Sequence, residues 1–227
     1  MCGRFSIVEG SREVLIDRFG VRHTTYKQDL SVYNAAPSME LPMIIRNEET
    51  GNENELVLGQ WGFMPPWMKN FRPQANARLE TVAEKRMFRD AFKKRHCLIP
   101  ANSFFEWNEE DKAKQPYLFK LKDNPLFAFA GIWEEPAEAG KPPTFALMTT
   151  EANSLMSKLH HRLPVILQKE DEDRWLQGLE EGEKLDIQTQ YPSEEMEMYP
   201  VTPKINKVAY QEPDAIKQIE LRPSLGI

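Results

Sequence analysis

Cysteine is scarce in this 227-residue chain, which has only Cys2 and Cys97 and no Cys-x-x-Cys pair. A disulfide framework or a zinc ribbon needs more thiols at closer spacing, so the sequence argues against both scaffolds and for a reducing compartment. No apolar run approaches the ~20 residues that cross a membrane, and no apolar core typical of a signal peptide follows the N-terminus. We therefore expect a cytoplasmic protein with no membrane partner.

Internal repeats, low-complexity tracts and a linker long enough to divide the chain are also absent. Hydrophobic residues make up 41% of the sequence and aromatic residues 10%, which suits a packed core rather than disorder. Short branched and aromatic runs, separated by turns rich in Gly and Pro, predict a continuous antiparallel sheet or a barrel. The predicted strands or extended segments cover residues 4–8, 31–37, 41–46, 56–61, 97–100, 103–107, 117–121, 126–133, 144–150, 165–167 and 198–201.

Helix signals are fewer than strand signals. Ser11 predicts the N-cap of a helix over 13–19, and Gly20 predicts its end. Thr81 and Glu84 form a capping-box pattern that predicts a helix from 81 to about 95, after a polar turn at 76–81. Further helices are predicted over 152–159, 170–179 and 214–221.

Net charge is −6, which at first argues against a nucleic-acid partner. The charge is unevenly distributed, because residues 66–96 hold nine Lys or Arg against three acids, whereas residues 169–197 hold three Lys or Arg against eleven acids. The simplest interpretation is that each charged stretch is a solvent-exposed face of the protein. A basic face can also bind the phosphate backbone of a nucleic acid. The loop just before the basic run carries Trp61, Phe63 and Trp67 among Gly and Pro residues, so these rings are either core side chains or a stacking platform for single-stranded DNA.

The N-terminal Cys2 is the strongest candidate for chemistry. Removal of Met1 would leave an amine and a thiol on adjacent carbons, with reference pKa values of about 7.7–8.0 and about 8.5. The amine can condense with an aldehyde and the thiol can then close a thiazolidine ring, or the thiolate can attack an acyl group with the amine as base. A frayed terminus is the simpler interpretation, but the strand predicted over 4–8 would tether Cys2.

Two further residues are suited to proton transfer. Glu106 lies between Phe105 and Trp107, where a carboxylate is either exposed or held in a site. If it is buried, the pKa of its carboxyl group rises and it becomes a candidate general acid or base. His160 precedes an apolar strand, where it is either a structural hydrogen-bonding group or a proton carrier near neutral pH. His161 is adjacent but no third ligand lies nearby, so we predict no metal and no cofactor.

Seven short motifs stand in a fixed order along the chain. They are Met1-Cys2-Gly3-Arg4-Phe5, Tyr33-Asn34-x-Ala36-Pro37, Trp61-Gly62-x-x-Pro65-x-Trp67, Asn76-Ala77-Arg78-x-Glu80-Thr81, Arg95-x-Cys97-Leu98-Ile99-Pro100 with Phe105-Glu106-Trp107, Thr149-Thr150-x-Ala152-Asn153, and His160-x-Arg162-x-Pro164. This ordered set resembles the SRAP family, the SOS-response-associated peptidases that process abasic sites. One departure is Leu163, where the family usually has Met.

The resemblance implies a single α+β domain over residues 2–207, built around a mostly antiparallel, barrel-like sheet with flanking helices. Residues 208–227 would pack on this domain or trail from it. It also implies that Cys2, freed by autopeptidase activity or by an aminopeptidase, forms a thiazolidine crosslink with the aldehyde of an abasic site in single-stranded DNA. The crosslink would shield the abasic site in the DNA damage response. We expect a monomer, and the sequence names no protein partner.

The resemblance further assigns roles to matching positions. Asn76 would hold the opened sugar, Glu106 would move protons during Schiff-base formation and ring closure, and His160 would act on a sugar oxygen and help reverse the crosslink. Phosphates would be held by Arg4, Arg78 and Arg162, and Trp67 would stack on bases. The implied DNA-binding residues are Gly3, Arg4, Trp67, Arg78, Thr149 and Arg162.

Two alternatives remain open on the sequence. Met-Cys-Gly also opens glutamine amidotransferases, in which Cys2 would attack an amide as an N-terminal nucleophile. A non-catalytic binding domain with a buried Cys2 is the other alternative.

Overall fold

The protein is described by a computed structural model at residues 2–8, 10–27, 29, 31–46, 51–68, 72–108, 114–136, 138–178 and 189–221. Over these ranges the chain forms β1 (Arg4–Ile7), α1 (Arg12–Phe19), β2 (His23–Thr24), β3 (Val32–Ala35), β4 (Glu40–Ile45), β5 (Glu55–Trp61), β6 (Asn76–Arg78), α2 (Arg89–Lys94), β7 (His96–Ala101), β8 (Ser103–Trp107), β9 (Pro116–Leu121), β10 (Phe127–Glu134), β11 (Thr144–Glu151), β12 (Arg162–Pro164), α3 (Glu172–Gln177) and β13 (Met196–Pro200).

The strands form two sheets. The smaller sheet has the order β13-β9-β8-β1-β3 and is antiparallel throughout. The larger has the order β12-β11-β10-β7-β4-β5-β2, with β6 beside β11. Because β5 also pairs with β11, the strands β11, β10, β7, β4 and β5 are linked in a ring. The ring is only partly barrel-like, since β5 and β11 meet at two residue pairs. This architecture confirms the predicted single-domain α+β fold.

Aromatic side chains join the two sheets. Phe5 of β1 packs against Trp61 of β5, with ring centroids 4.9 Å apart, and edge-on to Phe129 of β10 at 5.6 Å. All three rings are fully buried, and burying one such side chain stabilises the fold by about 1.5–3 kcal/mol. The packing fixes β1 against the larger sheet and so fixes the residues that precede β1.

The first helix forms as predicted. The Ser11 side chain accepts a hydrogen bond from the backbone N–H of Val14, and Gly20 ends the helix in the left-handed conformation at φ 57°. None of the described helices is long and apolar enough to cross a membrane.

Residues 76–95 differ from the prediction. Residues 76–78 form β6 instead of a polar turn, because they pair in parallel with β11, and the Leu79 backbone N–H continues the ladder to the Thr149 carbonyl at 2.9 Å. The predicted helix from 81 is wrong, since turns follow and α2 begins only at Arg89. Val82 is buried while Ala83 is exposed, so the chain bends to place Val82 in the core rather than keep a regular helical face.

The C-terminal third also departs from the predicted elements. The helix predicted over 152–159 is a short 3₁₀ turn at Met156–Lys158. The strand predicted at 165–167 forms earlier, as β12. Residues 165–167 continue from it as extended chain, with an isolated bridge from Ile166 to Phe129 and backbone hydrogen bonds of Val165 and Leu167 to β10 and β11. The helix predicted over 170–179 is the shorter α3, preceded by a 3₁₀ turn at Lys169–Asp171, and residues 179–188 lie outside the described ranges.

The helix predicted over 214–221 is wrong. A 3₁₀ turn at Pro213–Ile216 is followed by extended chain, because Gln218 bridges Val201 and the Ile219 N–H donates to the Pro200 carbonyl. Pairing with the chain after β13 therefore outweighs local helix formation. Residues 208–221 pack on the sheet through Gln211, whose Oε1 accepts the backbone N–H groups of residues 33 and 34 at 3.1 Å. The domain boundary at 207 stays a prediction.

Candidate active site

Cys2 lies two residues before the start of β1 and is completely buried. The antiparallel pairing of β1 with β8 sets Arg4 opposite Phe105, so Cys2 and Glu106 lie at the same end of this strand pair. The Cys2 Sγ donates a weak hydrogen bond to the Arg4 carbonyl at 3.7 Å. The predicted tethering of Cys2 by a strand is therefore present. Met1 lies outside the described residues.

The thiol of Cys2 is electrostatically coupled to Glu106. Burial raises the pKa of Cys2 to about 12, and the negative charge of the Glu106 carboxylate contributes to the rise. Glu106 is itself only 6% exposed, and its Oε1 accepts the backbone N–H of Trp107 at 3.1 Å. The structure thus holds a protonated thiol beside a buried carboxylate, which is an arrangement suited to proton transfer.

Asn76 approaches Cys2 from the larger sheet. Its Nδ2 donates to the Cys2 carbonyl at 2.9 Å, and its Oδ1 is buried without a hydrogen-bond partner among the described residues. β6 carries Asn76 to this position because it pairs with β11, where Asn76 lies opposite Leu147. A buried amide oxygen with no partner is rare in folded proteins, and this oxygen has a lone pair available to accept a hydrogen bond from a bound molecule.

His160 is buried two residues before the start of β12. Its Nδ1 accepts the backbone N–H of Arg162 at 2.9 Å, and its ring stacks on that of His161 with centroids 4.4 Å apart. Because Nδ1 acts as acceptor, neutral His160 carries its proton on Nε2. Met156 and Leu163, four positions before and three positions after His160, belong to the same hydrophobic core cluster as Cys2.

Arg162 and Thr149 both have internal partners. The Arg162 guanidinium makes two hydrogen bonds to Glu80, at 2.9 and 2.8 Å, and its Nη2 also donates to the Thr149 carbonyl at 2.6 Å. Thr149 is fully buried, and its hydroxyl donates to the Ala77 carbonyl at 3.3 Å. Contact of these two residues with DNA stays a prediction.

Glu80 is a site residue to which sequence reasoning gave no role. It stands within a quoted motif, but only the fold brings it to Arg162, 82 positions away. Burial opposes ionisation of Glu80, yet the hydrogen bonds and charge of Arg162 outweigh burial and lower the pKa of its carboxyl group.

The remaining predicted DNA-binding residues lie nearer the surface. Gly3 is half-buried and Arg78 is exposed at the end of β6. Arg4 Nη1 donates to Asn34 Oδ1 and to the Ile205 carbonyl, both at 2.8 Å.

The three rings of the aromatic loop separate into two groups. Trp61 and Phe63 are fully buried, which confirms them as core side chains, whereas Trp67 is 51% exposed. The Arg86 guanidinium lies 4.7 Å from the centre of the Trp67 ring, a cation–π contact that no sequence motif indicated. Trp67 is therefore the ring of this loop that a base can reach.

Within the described part of the chain, no three His, Cys, Asp or Glu side chains are grouped closely enough to hold a metal ion. The chemistry that the arrangement itself offers is acid–base and nucleophilic: a thiol, a buried carboxylate and an imidazole fixed by its backbone neighbour.

Comparison with known proteins gives one family. The sequence profile described as SOS response associated peptidase (SRAP) matches residues 1–208. Abasic site processing protein YoqW of Bacillus subtilis (strain 168) is 35% identical over 232 residues, covering 96% of this chain and 99% of that protein. Abasic site processing protein YedK of Escherichia coli (strain K12) is 26% identical over 227 residues, covering 96% and 100%. Abasic site processing protein HMCES of Gallus gallus is 26% identical over 223 residues, covering 83% and 66%.

Solved structures share the fold. A crystal structure of a protein from Bacteroides thetaiotaomicron superposes with a TM-score of 0.78 at 24% identity, covering 96% of this chain and 100% of that one. A second, from Bordetella bronchiseptica, gives a TM-score of 0.73 at 24% identity, covering 88% and 100%. At this identity the likeness is one of fold alone.

Proposed function

Because the chain belongs to the SOS response associated peptidase (SRAP) family, we propose that it processes abasic sites in single-stranded DNA by a covalent bond through Cys2. The observation that carries the proposal is the buried surroundings of Cys2. There burial and the charge of the Glu106 carboxylate raise the pKa of the thiol, and the Asn76 amide donates a hydrogen bond to the Cys2 carbonyl. Several close relatives are named as abasic site processing proteins, which favours this substrate over an amide.

The reaction follows from an aminothiol and an aldehyde. Once Met1 is removed, the Cys2 amine adds to the C1′ aldehyde of the ring-opened sugar, and loss of one water gives a Schiff base. The thiol then adds to the imine carbon, so that a C–S bond closes a thiazolidine ring. The thiol proton passes to Glu106 and from there to the ring nitrogen, which leaves water as the only by-product.

Asn76 and His160 are suited to binding the sugar. The buried Oδ1 of Asn76 accepts a sugar hydroxyl, while its Nδ2 keeps Cys2 in place. His160, with its proton on Nε2, donates a hydrogen bond or a proton to a sugar oxygen. In the reverse reaction the C–S bond breaks, the sulfur regains its proton, and one water hydrolyses the Schiff base to the aldehyde and the Cys2 amine. The same Nε2–H assists by donating to the oxygen that becomes the aldehyde oxygen.

The DNA strand is held by charge and stacking. Arg78 is exposed beside the site and contacts a phosphate, Trp67 stacks on a base, and Gly3 and Arg4 line the approach to Cys2. Phosphate contacts give binding that weakens strongly with salt and shows little sequence preference.

The test is intact-mass spectrometry of the purified chain before and after incubation with an abasic oligonucleotide. We expect the Met1-free chain to gain the mass of the oligonucleotide minus one water and to keep it through denaturation. Cys2→Ala should gain nothing, whereas Cys97→Ala, which removes the other thiol, should crosslink like the unmodified chain. Normal crosslinking by Cys2→Ala would overturn the proposal, and glutaminase activity without crosslinking would support the alternative in which Cys2 attacks an amide as an N-terminal nucleophile.

The same spectra address the removal of Met1. If the chain is its own peptidase, protein purified with Met1 attached loses it on incubation alone, at a rate independent of protein concentration. If an aminopeptidase is needed, the mass stays constant until that enzyme is added.

A further inference from the structure

We propose that Glu80 is a positioning residue for the reaction, acting through Arg162 on His160. The proposal rests on the proposed function, because crosslinking is the reaction that Glu80 would assist. It starts from an ion pair that joins an exposed carboxylate to a buried guanidinium: the side chain of Glu80 is 42% exposed and that of Arg162 only 8%.

A buried guanidinium needs a countercharge, and Glu80 supplies it with both carboxylate oxygens. The Thr149 carbonyl and hydroxyl accept further bonds from Nη2, at 2.6 and 3.3 Å. Arg162 Nε is buried without a hydrogen-bond partner among the described residues. Loss of Glu80 would therefore leave a buried charge with neutral acceptors only, and Arg162 would have to move.

Movement of Arg162 would reach His160 directly. The backbone N–H of Arg162 is the donor to His160 Nδ1, at 2.9 Å, and this bond keeps the neutral ring in the Nε2–H tautomer. In the Nδ1–H tautomer the Nε2 atom carries a lone pair instead of a proton, so His160 could no longer donate from Nε2 to a sugar oxygen. Stacking on His161 restrains the plane of the ring but does not select the tautomer.

The same ion pair also supports Asn76. Glu80 lies two residues after β6, and Arg162 begins β12, so the pair connects the strands on either side of β11. The bond from the Thr149 hydroxyl to the Ala77 carbonyl reinforces β6 next to Asn76. A group displaced by about 1 Å can cost a reaction up to 10²-fold in rate, so support at this junction matters for both side chains that face the sugar.

The experiment compares Glu80→Ala and Glu80→Gln with the matched control Glu84→Ala, an exposed acid on the following turn. Crosslinking is measured as a first-order rate with saturating abasic oligonucleotide, DNA affinity is measured separately with an oligonucleotide that lacks the abasic site, and ¹⁵N NMR reports the tautomer of His160. For Glu80→Ala we expect a crosslinking rate about tenfold lower and a DNA affinity no weaker than that of the unmodified chain. We also expect His160 to populate both neutral tautomers instead of the Nε2–H form alone. Glu80→Gln keeps hydrogen bonding to Arg162 and should be intermediate, and Glu84→Ala should match the unmodified chain.

Two results would overturn the proposal. A folded Glu80→Ala chain with unchanged rate and unchanged tautomer would limit Glu80 to stability. Tighter DNA binding with an unchanged rate would mean that Glu80 restrains Arg162 from a phosphate. If Glu80→Ala does not fold, Glu80→Gln is judged by the same two readouts. If the unmodified chain does not crosslink, the proposed function fails, and the tautomer measurement alone decides whether Glu80 positions His160.

Discussion

Burial keeps the Cys2 thiol protonated, and the charge of the Glu106 carboxylate adds to this effect. The carboxylate disfavours the thiolate, so Glu106→Gln should lower the pKa of Cys2 from about 12. The same change removes the group that takes the thiol proton, so the crosslinking rate should fall by about 10²-fold. The substitution therefore separates thiol acidity from proton transfer. A lower pKa supplies more thiolate and would by itself speed crosslinking, whereas loss of the proton acceptor slows it.

The measurement pairs single-turnover crosslinking over pH 5–9 with the pH dependence of Cys2 alkylation in a Cys97→Ala background. Glu197→Gln, a half-buried acid of β13 paired with Lys120, serves as control. Faster crosslinking by Glu106→Gln would show that thiolate supply limits the reaction, and the role proposed for Glu106 would be wrong.

At the scale of elements, the loop that ends at Trp67 lies next to the turn that carries Arg86. The guanidinium covers one side of the indole and leaves a positive charge beside the face on which a base would stack. We expect Arg86→Ala to weaken single-stranded DNA binding evenly across sequences and to reduce the salt slope, the change of log K with log salt, by about 0.7, the value for one phosphate contact on a single strand.

Fluorescence anisotropy at several salt concentrations measures this slope. Lys141→Ala removes a surface cation that is paired with Glu138 and should leave the slope unchanged. An unchanged slope for Arg86→Ala would restrict Arg86 to packing against Trp67.

Elements that depend on local pattern could be predicted from the sequence, and those that depend on distant partners could not. Most strands of the two sheets correspond to runs of branched and aromatic residues between turns, a pattern visible in the sequence. Helix α1 has its own N-cap residue, Ser11, and its own terminating residue, Gly20. β6 has no such signal, because three residues become a strand only beside β11. The capping-box pattern at Thr81 was misleading for the same reason. The hydrogen bond from the Leu79 backbone N–H to the Thr149 carbonyl and the burial of Val82 in the core decide the path of the chain.

At the scale of the whole molecule, the sequence motifs indicate candidate site residues but not how those residues are arranged. Cys2, Asn76, Glu106 and His160 lie on four segments far apart in sequence, and a family resemblance names them without distances. The pairings β6–β11 and β1–β8, which join strands distant in the chain, bring Asn76 and Glu106 to Cys2, and the pairing β11–β12 sets the position of His160. The ion pair of Glu80 with Arg162 is likewise a product of this topology.

Among the contacts that attach the C-terminal segment 202–221 to the N-terminal side of the molecule, one buried side chain makes several at once. Asn34 is fully buried in β3, and its Nδ2 lies 3.1 Å from each of the carbonyl oxygens of Ile205, Lys207 and Tyr210. Its Oδ1 accepts from Arg4. One amide thus holds both the C-terminal segment and the residue that lies two positions after Cys2.

Asn34→Ala should therefore act at both ends of the chain. Buried carbonyl groups that lose their donor cost about 1–3 kcal/mol, so we expect the free energy of unfolding to fall by about 2–3 kcal/mol. Amide hydrogen exchange should accelerate over residues 205–210, and DNA binding should weaken because Arg4 loses an acceptor that orients it. Urea unfolding, exchange mass spectrometry and anisotropy measure the three effects, with Asn124→Ala in the β9–β10 turn as control. Unchanged exchange over 205–210 in the variant would show that the C-terminal segment is held by Gln211 and the Val201–Gln218 bridge without Asn34.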